Sequence, residues 1–250
     1  MILETKDLCK YFGGIKAVEG VNIFIKRGEL LGIIGPNGAG KTTLFNLITG
    51  YLKPTKGKII YERREIQGLP PAKIVSMGIA RTFQIVRPFK NLSVFENVLI
   101  ACGLKNYYGL SFVKRSDGDE YLKKAEGIVK KLGLEDYAHV PAKNLPLGYL
   151  KRLEIARALA LDPKLLLLDE VMSGLNKIEI EEVKGVIKEV RSMGLTVVLV
   201  EHNVPVAVEL SDRMYVLNFG KVIAEGSPEE IVRDKRVIEA YLGEEYAIKS

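Results

Sequence analysis

The feature that most constrains this chain is the stretch from Glu29 to Thr43: an apolar run, Glu29–Ile34, then Gly35-Pro-Asn-Gly-Ala-Gly-Lys41-Thr42-Thr43, then a segment with helical patterning. Gly35 through Thr42 meets the spacing G-x-x-x-x-G-K-[ST] in the strand-to-helix context that the spacing requires. Glycines let the backbone curl so that successive N–H groups point inward, and the following helix adds its positive end. The product is a cradle for phosphate oxygens, built from Gly35, Pro36, Asn37, Gly38, Ala39, Gly40, Lys41, Thr42 and Thr43. In such a cradle the ammonium of Lys41 reaches the β- and γ-phosphates of a nucleotide, and the Thr42 hydroxyl is offered to Mg²⁺. A Gly-rich turn that served only to start a helix would have no need of Lys-Thr at its end.

The rest of the chain is read around that turn. Its 250 residues are 47% hydrophobic and 27% charged, too apolar for a disordered tail and long enough for a well-filled core. Net charge is 37 − 31 = +6, with both signs interleaved over Asp119–Lys131 and Ile178–Arg191. That excludes a nucleic-acid binding signature, so no nucleic-acid partner is expected. Cys9 and Cys102 lack any metal or redox spacing and are expected as two buried reduced thiols. No apolar run approaches the ~20 residues of a spanning helix, so the chain is expected in the cytoplasm, reaching any membrane through another subunit.

Short apolar runs at Val21–Lys26, Glu29–Ile34, Lys58–Tyr61, Leu165–Leu168, Thr196–Val200 and Arg213–Leu217 predict strands. Leu165–Leu168 and Val197–Val200 are apolar at consecutive positions, as in central parallel strands; Val21–Lys26 and Lys58–Tyr61 predict antiparallel edge structure. Leu122, Ala125, Ile128, Val129 and Leu132 recur at helical spacing up to Gly133, and Val183, Ile187 and Val190 up to Gly194. From Arg87 to Leu161 helix signals dominate, interrupted by an expected loop at Gly103–Asp117. The fold class is therefore α/β: a P-loop NTPase (RecA-like) core with an antiparallel β subdomain and an inserted helical subdomain. In numbers this is one domain over 1–250, with the core at 1–86 and 158–250 and the helical insertion at 87–157.

If a nucleotide is hydrolysed, a second carboxylate site is required downstream. Leu165-Leu-Leu-Leu168-Asp169-Glu170 supplies it, since an apolar strand ends there in two acids. Asp169 is placed to hold Mg²⁺ through water and Glu170 to polarise the attacking water as general base. His202 follows the strand Thr196–Val200 at the same carboxyl edge, where ligands of open α/β sheets collect, and can donate to a γ-phosphate oxygen. His139 has no such placement and is read as structural or exposed.

Taken together, these residues resemble the ATP-binding subunit of an ABC transporter over essentially the whole chain. The resemblance implies that Phe12, before Gly13-Gly14, stacks on adenine, with Tyr11 as the alternative. It implies that Gln84, in Arg81-Thr-Phe-Gln84, touches Mg²⁺ or the attacking water at the entry to the helical subdomain. Leu145-Pro-Leu-Gly148-Tyr149 occupies the signature position, which normally reads Leu-Ser-Gly-Gly-Gln, with Leu145 and Gly148 matching. Ser173-Gly-Leu-Asn176 looks like the D-loop and His202 like the switch histidine. ATP and Mg²⁺ are the implied cofactors, with Lys41, Gln84, Glu170 and His202 catalytic and Thr42, Gln84 and Asp169 at the metal.

Within the family, Ala80-Arg-Thr-Phe-Gln84, Val86-Arg87-Pro-Phe89, Asn91–Asn97, the loop near 106–117 and Val237–Glu244 look most like the importers of branched-chain (hydrophobic) amino acids. Such importers use two different ATPase subunits, transmembrane permeases and an external solute-binding protein. An ATP-dependent heterodimer at the cytoplasmic membrane face is thus expected, with Ile85–Phe89 meeting the permease. The ATPases of lipopolysaccharide export share the ending but lack the Arg-Thr-Phe-Gln wording. A third alternative is a regulatory module that binds ATP without turnover; retention of Glu170 and His202 argues against it. This chain departs from the family pattern at Pro146, Leu147, Val171 and Asn176. Pro146 lacks both the hydroxyl and the N–H of the usual serine, so the signature offered to a partner is expected to be weaker than the chain's own cradle.

Overall fold

Leu30–Ile34 and Thr196–Val200 form strands because they are almost wholly apolar at consecutive positions, and all ten residues are buried. The computed structural model of the protein describes residues 1–83, 87–107 and 118–247. In chain order the elements are β1 (Leu3–Phe12), β2 (Ile15–Val21), β3 (Phe24–Ile25), β4 (Leu30–Ile34), α1 (Lys41–Ile48), β5 (Lys56–Tyr61), β6 (Arg64–Glu65), α2 (Pro71–Ser76), β7 (Ile79–Arg81), α3 (Val94–Tyr107), α4 (Gly118–Lys131), α5 (Leu147–Leu159), β8 (Leu165–Asp169), α6 (Lys177–Ser192), β9 (Thr196–Val200), α7 (Val204–Leu210), β10 (Arg213–Asn218), β11 (Lys221–Gly226), α8 (Pro228–Ile231) and α9 (Lys235–Ala247). They divide between two units, one of residues 1–74 and 195–250 and one of residues 75–194. Among the described residues no helix is long and apolar enough to cross a membrane.

The first unit holds two sheets. An antiparallel one runs β2-β1-β5-β6, with β3 also pairing with β1. In the other, β4 lies between β9 and β10, parallel to both, and β11 closes the edge antiparallel to β10. The C-terminal elements pack onto this second sheet: Ile231 and Val237 join Ile34, Ala207, Met214, Val216 and Ala224 in one buried cluster. The larger of these side chains, Ile34, Met214, Val216, Ile231 and Val237, each contribute about 1.5–3 kcal/mol of apolar burial, which holds the strand ending at the glycine turn against its neighbours. In the second unit β7 and β8 pair in parallel, and α3, α4 and α5 are inserted between them in sequence.

Several expectations are corrected. The run Val21–Lys26 is split, because Val21 ends β2 and only Phe24–Ile25 re-enters a sheet. Side chains cause the break: Asn22 Oδ1 accepts from Asp7 N, and Thr5 Oγ1 accepts from Ile23 N, replacing ladder bonds. β5 is internal, lying between β1 and β6, so it is not an edge. Gly103–Tyr107 is helical, not loop, because the buried turn Val98, Ala101 and Cys102 carries α3 past a single glycine that costs only about 1 kcal/mol; residues 108–117 lie outside the described part. Leu122 is exposed, so the buried stripe of α4 begins at Ala125. The stops hold: Gly133 (φ +61°) follows α4 and Gly194 (φ +79°) follows α6. Cys9 and Cys102 are buried and free.

Candidate functional site

In the first unit the glycine turn lies at the carboxyl end of β4. Gly35 has φ +153° and a Cβ there would stand 2.1 Å from the Leu217 carbonyl oxygen; on Gly40, at φ +103°, it would stand 2.4 Å from that of Ala17. No other residue fits either position, which is why the turn is spelled with glycine. Gly220 N donates to Ala39 O at 3.0 Å and Leu44 N to Gly40 O at 2.8 Å, tying the turn to the β10–β11 hairpin and into α1. No side chain caps α1, and its first turn carries no acid, so the positive end of the helix is left to the cradle. Lys41 is buried, and its Nζ donates to the carbonyls of Gly35 at 2.5 Å and Pro36 at 2.9 Å. The ammonium is folded against the loop whose N–H groups it would accompany onto phosphate. Thr42 is exposed and Thr43 half-buried at the same helix start.

Adjacent to β4, strand β9 runs parallel with Ile33 opposite Val200, so His202 emerges at the same edge as the cradle. It is exposed in a bend, and Asn203 after it starts α7 by accepting from Val206 N. Phe12 ends β1 and is 45% exposed, with Lys10 Nζ 5.0 Å from its ring centroid, so a ring surface is open for stacking. Tyr11 is half-buried and anchored through its N–H to Thr55 Oγ1. The first unit thus brings together Gly35–Thr43 and His202 at one sheet edge and leaves Phe12 at the end of the β1–β2 hairpin.

The second unit gathers the acids. Asp169 ends β8, almost fully buried; its Oδ2 accepts from Arg81 Nη2 at 2.6 Å, its main-chain N donates to Thr82 Oγ1, and its Oδ1 has no hydrogen-bond partner among the described residues. Glu170 is equally buried and sits at φ +50°, a left-handed conformation unusual for a residue with a side chain. Its carbonyl accepts from Lys151 Nζ at 3.4 Å. One turn further along α5, Glu154 Oε1 accepts from Phe83 N at 3.0 Å; burial pushes this carboxyl up to about 6. Leu145 and Gly148 are buried at the start of α5, with Pro146 as its N-cap, and Leu147 is exposed beside Gly174. Asn176 caps α6 through a capping box with Glu179, a task that an aspartate at this position would also perform. Val171 is fully buried. Gln84, Ile85 and Val86 lie outside the described residues; Phe89 is exposed, with the Arg157 guanidinium 5.3 Å from its ring.

A buried carboxylate oxygen without a partner among the described residues, Asp169 Oδ1, fits a hard cation such as Mg²⁺ or its bound water. Sequence reasoning missed Arg81, Thr82, Lys151 and Glu154. Lys151-Arg-Leu-Glu-Ile-Ala-Arg reads in sequence only as a helical run of charges, of which the fold buries Lys151, Arg152 and Glu154.

Against known proteins, the profile of the family described as "ABC transporter" matches residues 18–173, more than half of the chain, and that of "Branched-chain amino acid ATP-binding cassette transporter" matches residues 221–247. The chain is 42% identical to the high-affinity branched-chain amino acid transport ATP-binding protein LivG of Salmonella typhimurium, over 97% of this chain and 98% of that one. It is 41% identical to BraF of Pseudomonas aeruginosa, a protein with the same description, over 97% and 98%. Among solved structures, a nucleotide-free ATP-binding cassette from an ABC transporter is similar with TM-score 0.84 and 34% identity, covering 96% of this chain and 98% of that one. A cassette solved in its ADP conformation is similar with TM-score 0.85 and 34% identity, covering 97% and 98%.

Proposed function

The chain belongs to the ABC transporter family of ATPases, and from that premise we propose that it is the ATP-hydrolysing subunit of an importer of branched-chain or other hydrophobic amino acids. It works at the cytoplasmic face of the membrane, with separate permease subunits, a second and different ATPase subunit that associates on binding ATP, and indirectly an external solute-binding protein. The observation that carries the choice of solute is the likeness to LivG and BraF along nearly the whole chain. The match at 221–247 favours this reading over lipopolysaccharide-type export.

In the proposed reaction the N–H groups of Gly38 to Thr43 and the Lys41 ammonium hold the β- and γ-phosphates, and Phe12 stacks on the base. Thr42 and Asp169, with Gln84, would hold Mg²⁺, which when bound supplies charge neutralisation at the phosphate oxygens. Glu170 orients and deprotonates the attacking water, while His202 and Lys41 stabilise charge that develops on the transferred phosphoryl group. Residues 87–157 are read as the helical subdomain carrying the signature segment Leu145–Gly148, which is presented to the nucleotide of the second ATPase subunit. Ile85–Phe89 is read as the permease-docking segment. Affinity purification of the full chain from detergent-extracted membranes tests the partners. Recovery of transmembrane subunits and a second cassette is expected; recovery of nucleic acid in their place would overturn the reading.

A further inference from the structure

Of the three buried charges on α5, Arg152 is ion-paired with Glu182, and the other two are given no task by the reaction above. Lys151 is 2% exposed and Glu154 is 6% exposed, and at i and i+3 they share one face of the helix. Taking either charge out of water is costly unless its polar atoms are satisfied. Each reaches a main-chain group at the end of a different strand. Lys151 Nζ donates to the carbonyl of Glu170, just past β8, and Glu154 Oε1 accepts from the N–H of Phe83, two residues past β7. The other oxygen of Glu154 is buried with no hydrogen-bond partner among the described residues. The two strand ends are also tied to each other: Thr82 N donates to Leu167 O, Asp169 N to Thr82 Oγ1, and Arg81 to the Asp169 carboxylate.

We propose that Lys151 and Glu154 are positioning residues, a two-point clamp by which the helix that begins at the signature segment fixes the backbone on which Asp169 and Glu170 are presented. The left-handed turn at Glu170 is the reason a clamp is needed. A residue with a side chain at φ +50° persists only where its surroundings over-determine it, and relaxation of that turn would swing the carboxylate away. The Lys151 contact falls on the carbonyl of that same residue. A carboxylate displaced by about 1 Å loses on the order of a hundredfold in rate while the phosphate cradle, in the other unit, is untouched. Loss of the clamp should therefore lower kcat and leave KM for ATP alone.

This inference rests on the reading of Glu170 as general base, and the test separates the two. The transporter assembled with this chain carrying Lys151→Met, Lys151→Arg, Glu154→Leu, Glu154→Gln or Glu170→Gln is assayed for MgATP hydrolysis, and exchange of the Phe83 amide in the full-length chain is followed by NMR. Expected are at least a tenfold fall in kcat with KM within twofold for Lys151→Met and Glu154→Leu, recovery to within threefold of wild type in Lys151→Arg and Glu154→Gln, and faster Phe83 exchange in Glu154→Leu alone among the Glu154 variants. Folded Met and Leu variants with kcat within twofold of wild type overturn the clamp, as do Arg and Gln variants no better than they. If Met and Leu do not fold, a tenfold loss in the folded Arg or Gln variant overturns it and near-wild-type kcat with a protected Phe83 amide supports it. Wild-type turnover in Glu170→Gln overturns the base assignment instead.

Discussion

At the scale of single residues, nucleotide binding and turnover fall to different side chains. Lys41→Ala removes the ammonium that pairs with the phosphates in the ground state, so ATP affinity in a fluorescence titration should fall by at least tenfold. Unchanged affinity would remove Lys41 from the cradle. Glu170→Gln keeps shape and volume but loses the base, so ATP should still bind while kcat falls by 10²- to 10⁴-fold. Glu154 adds a pH effect whose sign follows from its raised value. Its folded-state carboxyl titrates near 6 against an ordinary 4.5. Between those values the folded chain keeps a proton that the unfolded chain has released, so this group lowers stability as pH rises through that window. Urea denaturation should find Glu154→Gln gaining up to about 2 kcal/mol relative to wild type between pH 4.5 and pH 7. An equal difference at both pH values would show that the carboxyl is not perturbed by burial.

Elements show where the sequence was legible and where it was not. β4, β8 and β9 were legible because consecutive apolar residues are the signature of strands covered on both faces, and the glycine turn because its backbone admits nothing else. β1 was not: its alternation breaks at a bulge, with Asp7 at φ +45° and a register shift against β5 between Lys6 and Cys9. β11 offers only the three-residue apolar run Val222–Ala224, and of its six residues only Ala224 is buried. Of the candidate site, Asp169, Glu170 and His202 were legible from their places at or just past strand ends, and Lys41 from the glycine turn that it closes. Glu154 and Lys151 did not, since nothing in a helical run of charges tells which are buried. The start of α5 carries its own consequence. Pro146 stands as N-cap without a hydroxyl, but Leu150 N donates to Pro146 O and the amides of Leu147, Gly148 and Tyr149 precede that first helical bond. Pro146→Ser would add the missing donor, worth about 1.5–3 kcal/mol against a phosphate. ATP-dependent association with the second ATPase subunit should tighten by at least tenfold; no change would show that the helix amides already suffice.

For the whole molecule, the chain's own cradle is intact while the segment it offers to a partner is altered, so the two nucleotide sites of the assembled transporter should be unequal. Glu→Gln placed in each ATPase subunit in turn should cost more turnover here, at Glu170, than in the partner; equal losses would refute the asymmetry. The central claim, that ATP hydrolysis by this chain drives uptake of a hydrophobic amino acid, is tested most directly by leucine uptake into proteoliposomes reconstituted with the permeases, both ATPase subunits and the binding protein. The account expects uptake that requires MgATP at this chain's face of the membrane and falls to background with Glu170→Gln. Leucine accumulation unaffected by Glu170→Gln, or none at all while ATP is hydrolysed at the same rate with and without leucine, would contradict it.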